Sequence, residues 1–377
     1  MAADTSTNGL DLIPEKASLW QESLLWSQSL SLRAGVGYKD NVALSPSNGR
    51  GSGFFTEGLD LLVFRLPVDG LEFSLSVTGD DTRYWWPVEG IDGEDAFLAN
   101  AQLQKYFGRD WRAGLDLKYL YLDQVLEELV QTGGFQVVQA KGNTLGVSPF
   151  LRRNLGANCW AQIGFTAANE WWQAPLDQQT KIGAQAAIGY SYGTDSQITL
   201  AYGGQHVAHN QWLARDSYGV EIPGDLLEVW QQSLDLRWEH VWDPDKHWRS
   251  IAKLGFLYNQ DNAGGYFDYY RYQGAEELRF SGGGWEVKAS AGAGYYTFPV
   301  QTTASAPPPD FSPQPANPEP VSPNLRFLSL NLSLRAEHPI WKRLSAFGEY
   351  RFERVFSNAS DIEYTANTVT GGLSWDF

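Results

Sequence analysis

From Leu30 to the final Phe377 the chain keeps returning to one pattern: an alternating run of apolar and polar side chains, a short turn, a second alternating run, then a longer polar connector. Successive side chains of an extended strand point to opposite faces, so each run has one apolar and one polar face. Leu30, Leu32, Ala34, Val36 and Tyr38 share a face against Ser31, Arg33, Gly35, Gly37 and Lys39. Leu71, Phe73, Leu75 and Val77 oppose Glu72, Ser74, Ser76 and Thr78, and Leu328, Leu330, Leu332 and Leu334 oppose Ser329, Asn331, Ser333 and Arg335. Short turns fall at Val68-Asp69-Gly70, Gly108-Arg109-Asp110, Gly156-Ala157-Asn158, Gly193-Thr194-Asp195, Asp243-Pro244-Asp245, Gly282-Gly283-Gly284 and near Pro339 to Lys342. The rhythm predicts sixteen strands, seven short turns and eight longer connectors, and an even strand number returns both chain ends to one side of a barrel.

Composition decides what touches the apolar face. The mean hydropathy is −0.35, and no run approaches the roughly 20 apolar residues of a spanning helix. Aromatic residues reach 14%, with 16 Trp, and under this threading no tryptophan falls in the middle of a strand. Trp85, Trp86, Trp171, Trp172, Trp212 and Trp230 lie at the long-connector ends, while Trp26, Trp111, Trp160, Trp238, Trp242, Trp248, Trp285, Trp341 and Trp375 lie at or near the short-turn ends. Indole rings favour the two membrane interfaces, whereas a soluble sandwich would bury several in its core strands. The expected fold is therefore all-β: a transmembrane antiparallel up-and-down β-barrel of about 16 strands. Cys159 is the sole cysteine, which excludes an intrachain disulfide, and the net charge of −16 argues against a nucleic-acid partner.

The last strand carries the most specific motif. Val369, Leu373, Trp375 and Phe377 take one face, and Thr370, Gly372, Ser374 and Asp376 the other. This ending resembles the carboxy-terminal strand by which bacterial outer-membrane barrels are recognised for insertion. Near the other end, Gly35-Val36-Gly37-Tyr38-Lys39-Asp40-Asn41-Val42 resembles the first-strand exit of bacterial β-barrel porins. The resemblance covers the two ends specifically and the middle by rhythm alone. It implies a porin-like barrel in a Gram-negative outer membrane, with short periplasmic turns, longer extracellular loops, and Leu373, Trp375 and Phe377 as the insertion signal. The implied partners are outer-membrane lipid and lipopolysaccharide, the barrel assembly machinery and small hydrophilic solutes. Residues 1–23, whose Met1-Ala2-Ala3-Asp4 start has no charged-then-apolar pattern, are expected as a periplasmic N-terminal segment, and 24–377 as one barrel domain. A Pro-rich extracellular loop is expected at about 299–324, because Pro307-Pro308-Pro309 and five further prolines cannot pair inside a sheet.

On the polar face the charges nearly cancel. Arg33, Lys39, Arg112, Lys118, Arg237, Lys253, Lys288, Arg335 and Arg351 stand with Glu72, Asp116, Asp235, Glu239 and Glu349 as lumen-lining candidates, and Glu286, Glu337, Glu353 and Asp376 on the same face bring the carboxylates to nine against these nine cations. Facing lipid, an Arg or Lys at mid-bilayer would cost about 2–4 kcal/mol, so these residues imply a wet interior, or an ionic network that fills it. The negative excess is expected in loops, at Asp80, Asp81, Glu89, Asp92, Glu94 and Asp95, and at Glu127 and Glu128. The connector at 123–142 stands where sixteen-strand general porins fold a constriction loop, and by that resemblance Asp123, Glu127 and Glu128 would form an acidic constriction. Phe135 to Gln139 also alternates, however, and Gly133-Gly134 could close a tall hairpin.

Chemistry has little foothold. His206 and His209 are the only close histidines, and their spacing on an extended segment sends the rings to opposite faces, so no metal site is expected. No nucleophile elbow or phosphate loop occurs, and the adjacent Glu276-Glu277 reads as solvated loop charge. The chain is thus expected to be no enzyme, to need no cofactor, and to act as a passive channel for small hydrophilic solutes. The alternatives are an exporter of an extracellular polysaccharide and a structural barrel sheathing a partner protein.

Overall fold

A computed structural model describes residues 25–377 apart from 48, 68, 131–133, 194, 303–322 and 360–361. The expected N-terminal segment and most of the Pro-rich connector thus lie outside the described residues. The strands are β1 (Trp26–Lys39), β2 (Ser52–Arg65), β3 (Leu71–Val88), β4 (Ile91–Phe107), β5 (Trp111–Val130), β6 (Gly134–Asn154), β7 (Cys159–Trp172) and β8 (Gln179–Tyr192). They continue with β9 (Ser196–Arg215), β10 (Glu221–Val241), β11 (Trp248–Asp261), β12 (Tyr269–Gly282), β13 (Trp285–Thr302), β14 (Asn324–Trp341), β15 (Leu344–Ser357) and β16 (Tyr364–Asp376).

Each strand pairs antiparallel with its sequence neighbours, and β1 closes the ring against β16, from Ser31 opposite Asp376 to Lys39 opposite Thr368. Closure leaves no free strand edge, as a sheet in hydrocarbon requires. The amide of Phe377 donates to the Leu30 carbonyl at 2.9 Å, so the last residue itself helps seal the seam.

The outward register is the apolar one. Phe165, Ile182 and Leu254 keep 65%, 62% and 59% of their surface exposed, which only lipid contact makes favourable over so wide an area. Leu373, Trp375 and Phe377 all lie exposed on this face, with the Trp375 and Phe377 rings stacked at 5.9 Å. Trp26, Trp111, Trp242, Trp248, Trp285, Trp341 and Trp375 are exposed around the short-turn end, forming one interfacial girdle. Four tryptophans depart from the two-girdle expectation. Trp160, Trp172 and Trp86 lie on the inward register, and Trp212 is buried inside the upper part of β9.

Several stretches expected as loops are strand. The β5–β6 hairpin runs in unbroken register from Trp111 opposite Arg153 to Val130 opposite Gly134, so of the two readings of the connector at 123–142 the tall hairpin holds and the constriction loop does not. Residues 206–225, where the sequence alternation lapses into a polar connector, also belong mainly to β9 and β10. Asp80, Asp81, Glu94 and Asp95 sit in β3 and β4, Glu127 and Glu128 in β5, and Glu276 and Glu277 in β12 rather than in a loop. The physical reason is shared by the extracellular extensions. A barrel strand crosses the bilayer in about 9–11 residues, and beyond that water touches both faces, so pairing continues without alternation.

Candidate functional site

All fourteen lumen-lining candidates fall on the inward register. In β1 this follows from the exposed Leu32, Val36 and Tyr38 that separate Arg33 and Lys39 from lipid, and the pairing carries the same parity round the ring. Register brings them to partners on the same or nearby strands. Arg33 bridges Asp60 of β2 at 3.1 Å and Asp80 of β3 at 3.0 Å. Lys39 meets Glu94 at 2.8 Å, and Glu94 also accepts the Tyr84 hydroxyl at 2.7 Å. On β14, three places round the ring from β1, Arg335 reaches Glu337 at 2.9 Å and Glu349 at 3.5 Å, and Glu349 in turn holds Arg351. Glu239 is shared between Arg237 and Arg249, the latter at 2.5 Å. Glu277 takes Arg279 at 2.5 Å and Lys288 at 2.8 Å.

Other candidates take neutral partners. The Tyr106 hydroxyl donates to Glu72 at 2.6 Å, and the Gln102 amide donates to Asp116 at 2.6 Å. Arg112 stands directly opposite Arg152 across β5 and β6, a like-charge pairing that costs stability in a sheet. Each cation is offset by an aromatic face: Arg112 lies 4.4 Å above Tyr106 and Arg152 lies 3.7 Å above Trp160. Lys118, Asp235 and Lys253 point inward and form no ion pair among the described residues. Asp60, Asp80, Glu94, Arg152 and Glu277 are wall residues that were not among the candidates. Asp60 had a legible signal, since it sits between Leu59 and Leu61 in the polar phase of β2.

The three residues expected at a constriction separate. Asp123 lies on the outward register, where Lys141 holds it at 2.7 Å and the Gln139 amide donates to it at 2.7 Å. It ends a row of carboxylates in direct register on that outer face, Glu57, Asp81, Asp95 and Asp123 on β2 to β5, with Arg83 between Asp81 and Asp95. These four carboxylates thus stand outside the lumen. Above Asp123 the hairpin turns inward. Val125 and Val137 pack in an apolar cluster with Val42, Leu44, Phe54, Ile91, Phe298, Phe327, Val355 and Tyr364, drawn from opposite sides of the ring. Glu127 hydrogen-bonds Tyr364 of β16, and Glu128 is exposed. Glu127 lies sixteen residues along β5 from Trp111, past the bilayer crossing. Burial raises its carboxyl above the ordinary value of 4.5, with Glu353 adding to the rise and the Tyr364 hydroxyl opposing it.

The close histidines point apart as expected. His206 faces outward, 3.1 Å from Glu228, and His209 inward, 3.4 Å from the buried Asp177. Among the described residues one group of potential ligands converges, Asp243, Asp245 and His247 at a short turn. Asp243 is already occupied there, accepting the amides of His247 at 3.0 Å and Trp248 at 2.8 Å.

A closed even-stranded sheet, apolar and aromatic outside and charged inside, defines a transmembrane β-barrel of the bacterial outer membrane, porin-like in architecture. No family model matches the chain, and no curated protein does. Among solved structures it is similar to an anion-selective porin from Comamonas acidovorans, at 13% identity and a TM-score of 0.48 over 93% of this chain and 99% of that one. OccAB1 from Acinetobacter baumannii is similar at 10% identity and a TM-score of 0.47, over 93% and 96% of the two chains. A bacterial polysaccharide outer membrane secretin is similar at 12% identity and a TM-score of 0.43, over 93% and 98%. Likeness at this level is one of fold.

Proposed function

We propose that the barrel is a channel for passive diffusion of small hydrophilic solutes across the outer membrane, with the inward ion pairs lining the path and the β5–β6 hairpin narrowing its mouth. The observation that carries this reading is the exposure of charged side chains on the inner wall. The side chains of Asp80, Arg279 and Arg351 keep 52%, 51% and 60% of their surface open although they lie inside a closed ring. A sealing ionic network would bury them, because a packed lumen leaves no room for water around a guanidinium. The balance of signs along this wall favours polar solutes of either charge over strong selection for one. Lipopolysaccharide around the outer face and the barrel assembly machinery acting on the terminal strand are the proposed partners.

The test is conductance of the purified chain in planar bilayers. Stable steps that scale with KCl concentration are expected. An electrically silent bilayer, with insertion verified by heat-modifiable gel migration, would remove the diffusion reading.

A further inference from the structure

The inner wall is charged on most strands, yet across the middle of β7, β8 and β9 it is not. Below the Lys181–Glu170 pair, every inward side chain of these three strands is uncharged. Their centre instead alternates glycine and glutamine. Gln185 stands opposite Gly164 and Gly203, and Gln205 opposite Gly183. Each long amide therefore lies beside a missing side chain, and the wall recesses there into a cavity of about 150 Å³. Gln185, Gln205 and Gln231 supply its amides, Thr166 and Ser233 its hydroxyls, and Leu257 one apolar side.

The amides are held in one orientation. Gln205 donates to Gln231 at 2.5 Å, Gln231 to Asn259 at 2.8 Å, and Asn259 to the backbone carbonyl of Phe267 at 2.8 Å. A backbone carbonyl only accepts, so Asn259 must turn its NH₂ toward it, which fixes each amide in turn back to Gln205. The anchor is rigid, since Asn259 is 2% exposed and Phe267 fully buried. Gln205 is left with its carbonyl oxygen and one N–H uncommitted, and Gln185 beside it has both amide functions to offer.

We infer that this alcove is a binding subsite for a neutral polyhydroxylated solute of one sugar ring. An inorganic ion finds no opposite charge in the lining, and an apolar ligand would strand several amide and hydroxyl groups without partners. A hydroxyl both donates and accepts, so a ring of them matches a mixed array of fixed amides and hydroxyls. The volume is below the roughly 300 Å³ at which drug-sized pockets begin, which limits the occupant to a single small ring or short polyol. The inference rests on the diffusion reading, because a solute must enter the lumen to reach the alcove.

Saturation-transfer NMR of glucose with the detergent-solubilised full-length chain tests it, with gluconate as the charged counterpart. Glucose should receive transfer and gluconate should not compete. Gln205→Leu and, independently, Gln185→Leu should each lower glucose affinity about tenfold, the equivalent of about 1.4 kcal/mol, while KCl conductance and heat-modifiable migration stay at parental values. Absence of transfer to the parent chain, equal binding of gluconate, or unchanged affinity in both folded variants would overturn the subsite. A parent chain that binds glucose but carries no current would instead refute the diffusion reading and leave the subsite standing.

Discussion

Tyr364→Phe should loosen the hairpin that reaches across the barrel mouth. The substitution removes only the hydroxyl that donates to Glu127, while the ring keeps its place in the apolar cluster. A hydrogen bond to a charged group contributes about 1.5–3 kcal/mol, and Glu127 has no spare partner, since its Oε1 is already buried without one. A loss of about 2 kcal/mol corresponds to a roughly thirtyfold shift from docked to undocked hairpin. In single-channel records the docked state is a lower-conductance level, and its dwell fraction at neutral pH should fall accordingly. Burial of the same carboxyl sets a pH dependence, which the Tyr364 bond opposes. Docking raises the Glu127 carboxyl above its ordinary 4.5, so the docked hairpin binds the proton more tightly than the undocked one. Docking is therefore strongest below the ordinary carboxylate value and weakens as pH rises through the raised one. Glu127→Gln should flatten this profile while keeping the low-pH conductance, with Glu353→Gln as a control for the neighbouring carboxyl. Identical dwell fractions in Tyr364→Phe and the parent, or an undiminished pH profile in Glu127→Gln, would refute the latch.

Three other perturbations probe the two faces of the wall. Glu276 points outward from β12 between Ala252 and Ala291, midway between the aromatic Phe280 and Tyr272. Glu276→Leu should stabilise the barrel by up to about 2 kcal/mol in denaturant titrations in lipid vesicles, and a loss of stability would reveal a polar partner at that position. Arg33→Ala leaves Asp60 and Asp80 uncompensated in the lumen, so the reversal potential in a KCl gradient should move toward cation preference. Its stability cost should stay below about 1 kcal/mol because the pairs are solvated. In Gly37→Ala the new methyl would collide with the Phe54 ring and the Val369 carbonyl, the second of which cannot move without disturbing the β1–β16 seam. A cost of about 1–3 kcal/mol is expected, read as a lower heat-modification midpoint; an unchanged midpoint would mean that the seam yields.

Strand number, strand faces and the tryptophan girdle at the short-turn end were legible because lipid acts on each position separately. Leu32 is outward whatever stands opposite it, and Arg33 is inward for the same reason. Legibility stopped where that pressure stopped. Asp81, Asp95 and Glu127 read as loop residues, since strands beyond the bilayer are wet on both faces and lose their alternation. Glu276 read as loop charge because a carboxylate on the lipid face breaks the rule on which the reading depended.

Alternation, read with the tryptophan placement, therefore indicated a closed sheet with lipid outside, and assigned Arg33, Glu239 and Arg335 to the inner face. Only the tertiary structure decided that Arg33 meets Asp80, that Glu127 crosses to Tyr364, and that Gln205 lies beside Gly183. Facing is a property of one residue and its phase along one strand. Pairing depends on register between strands, which a slip of one residue would reverse and which closure of the whole ring sets.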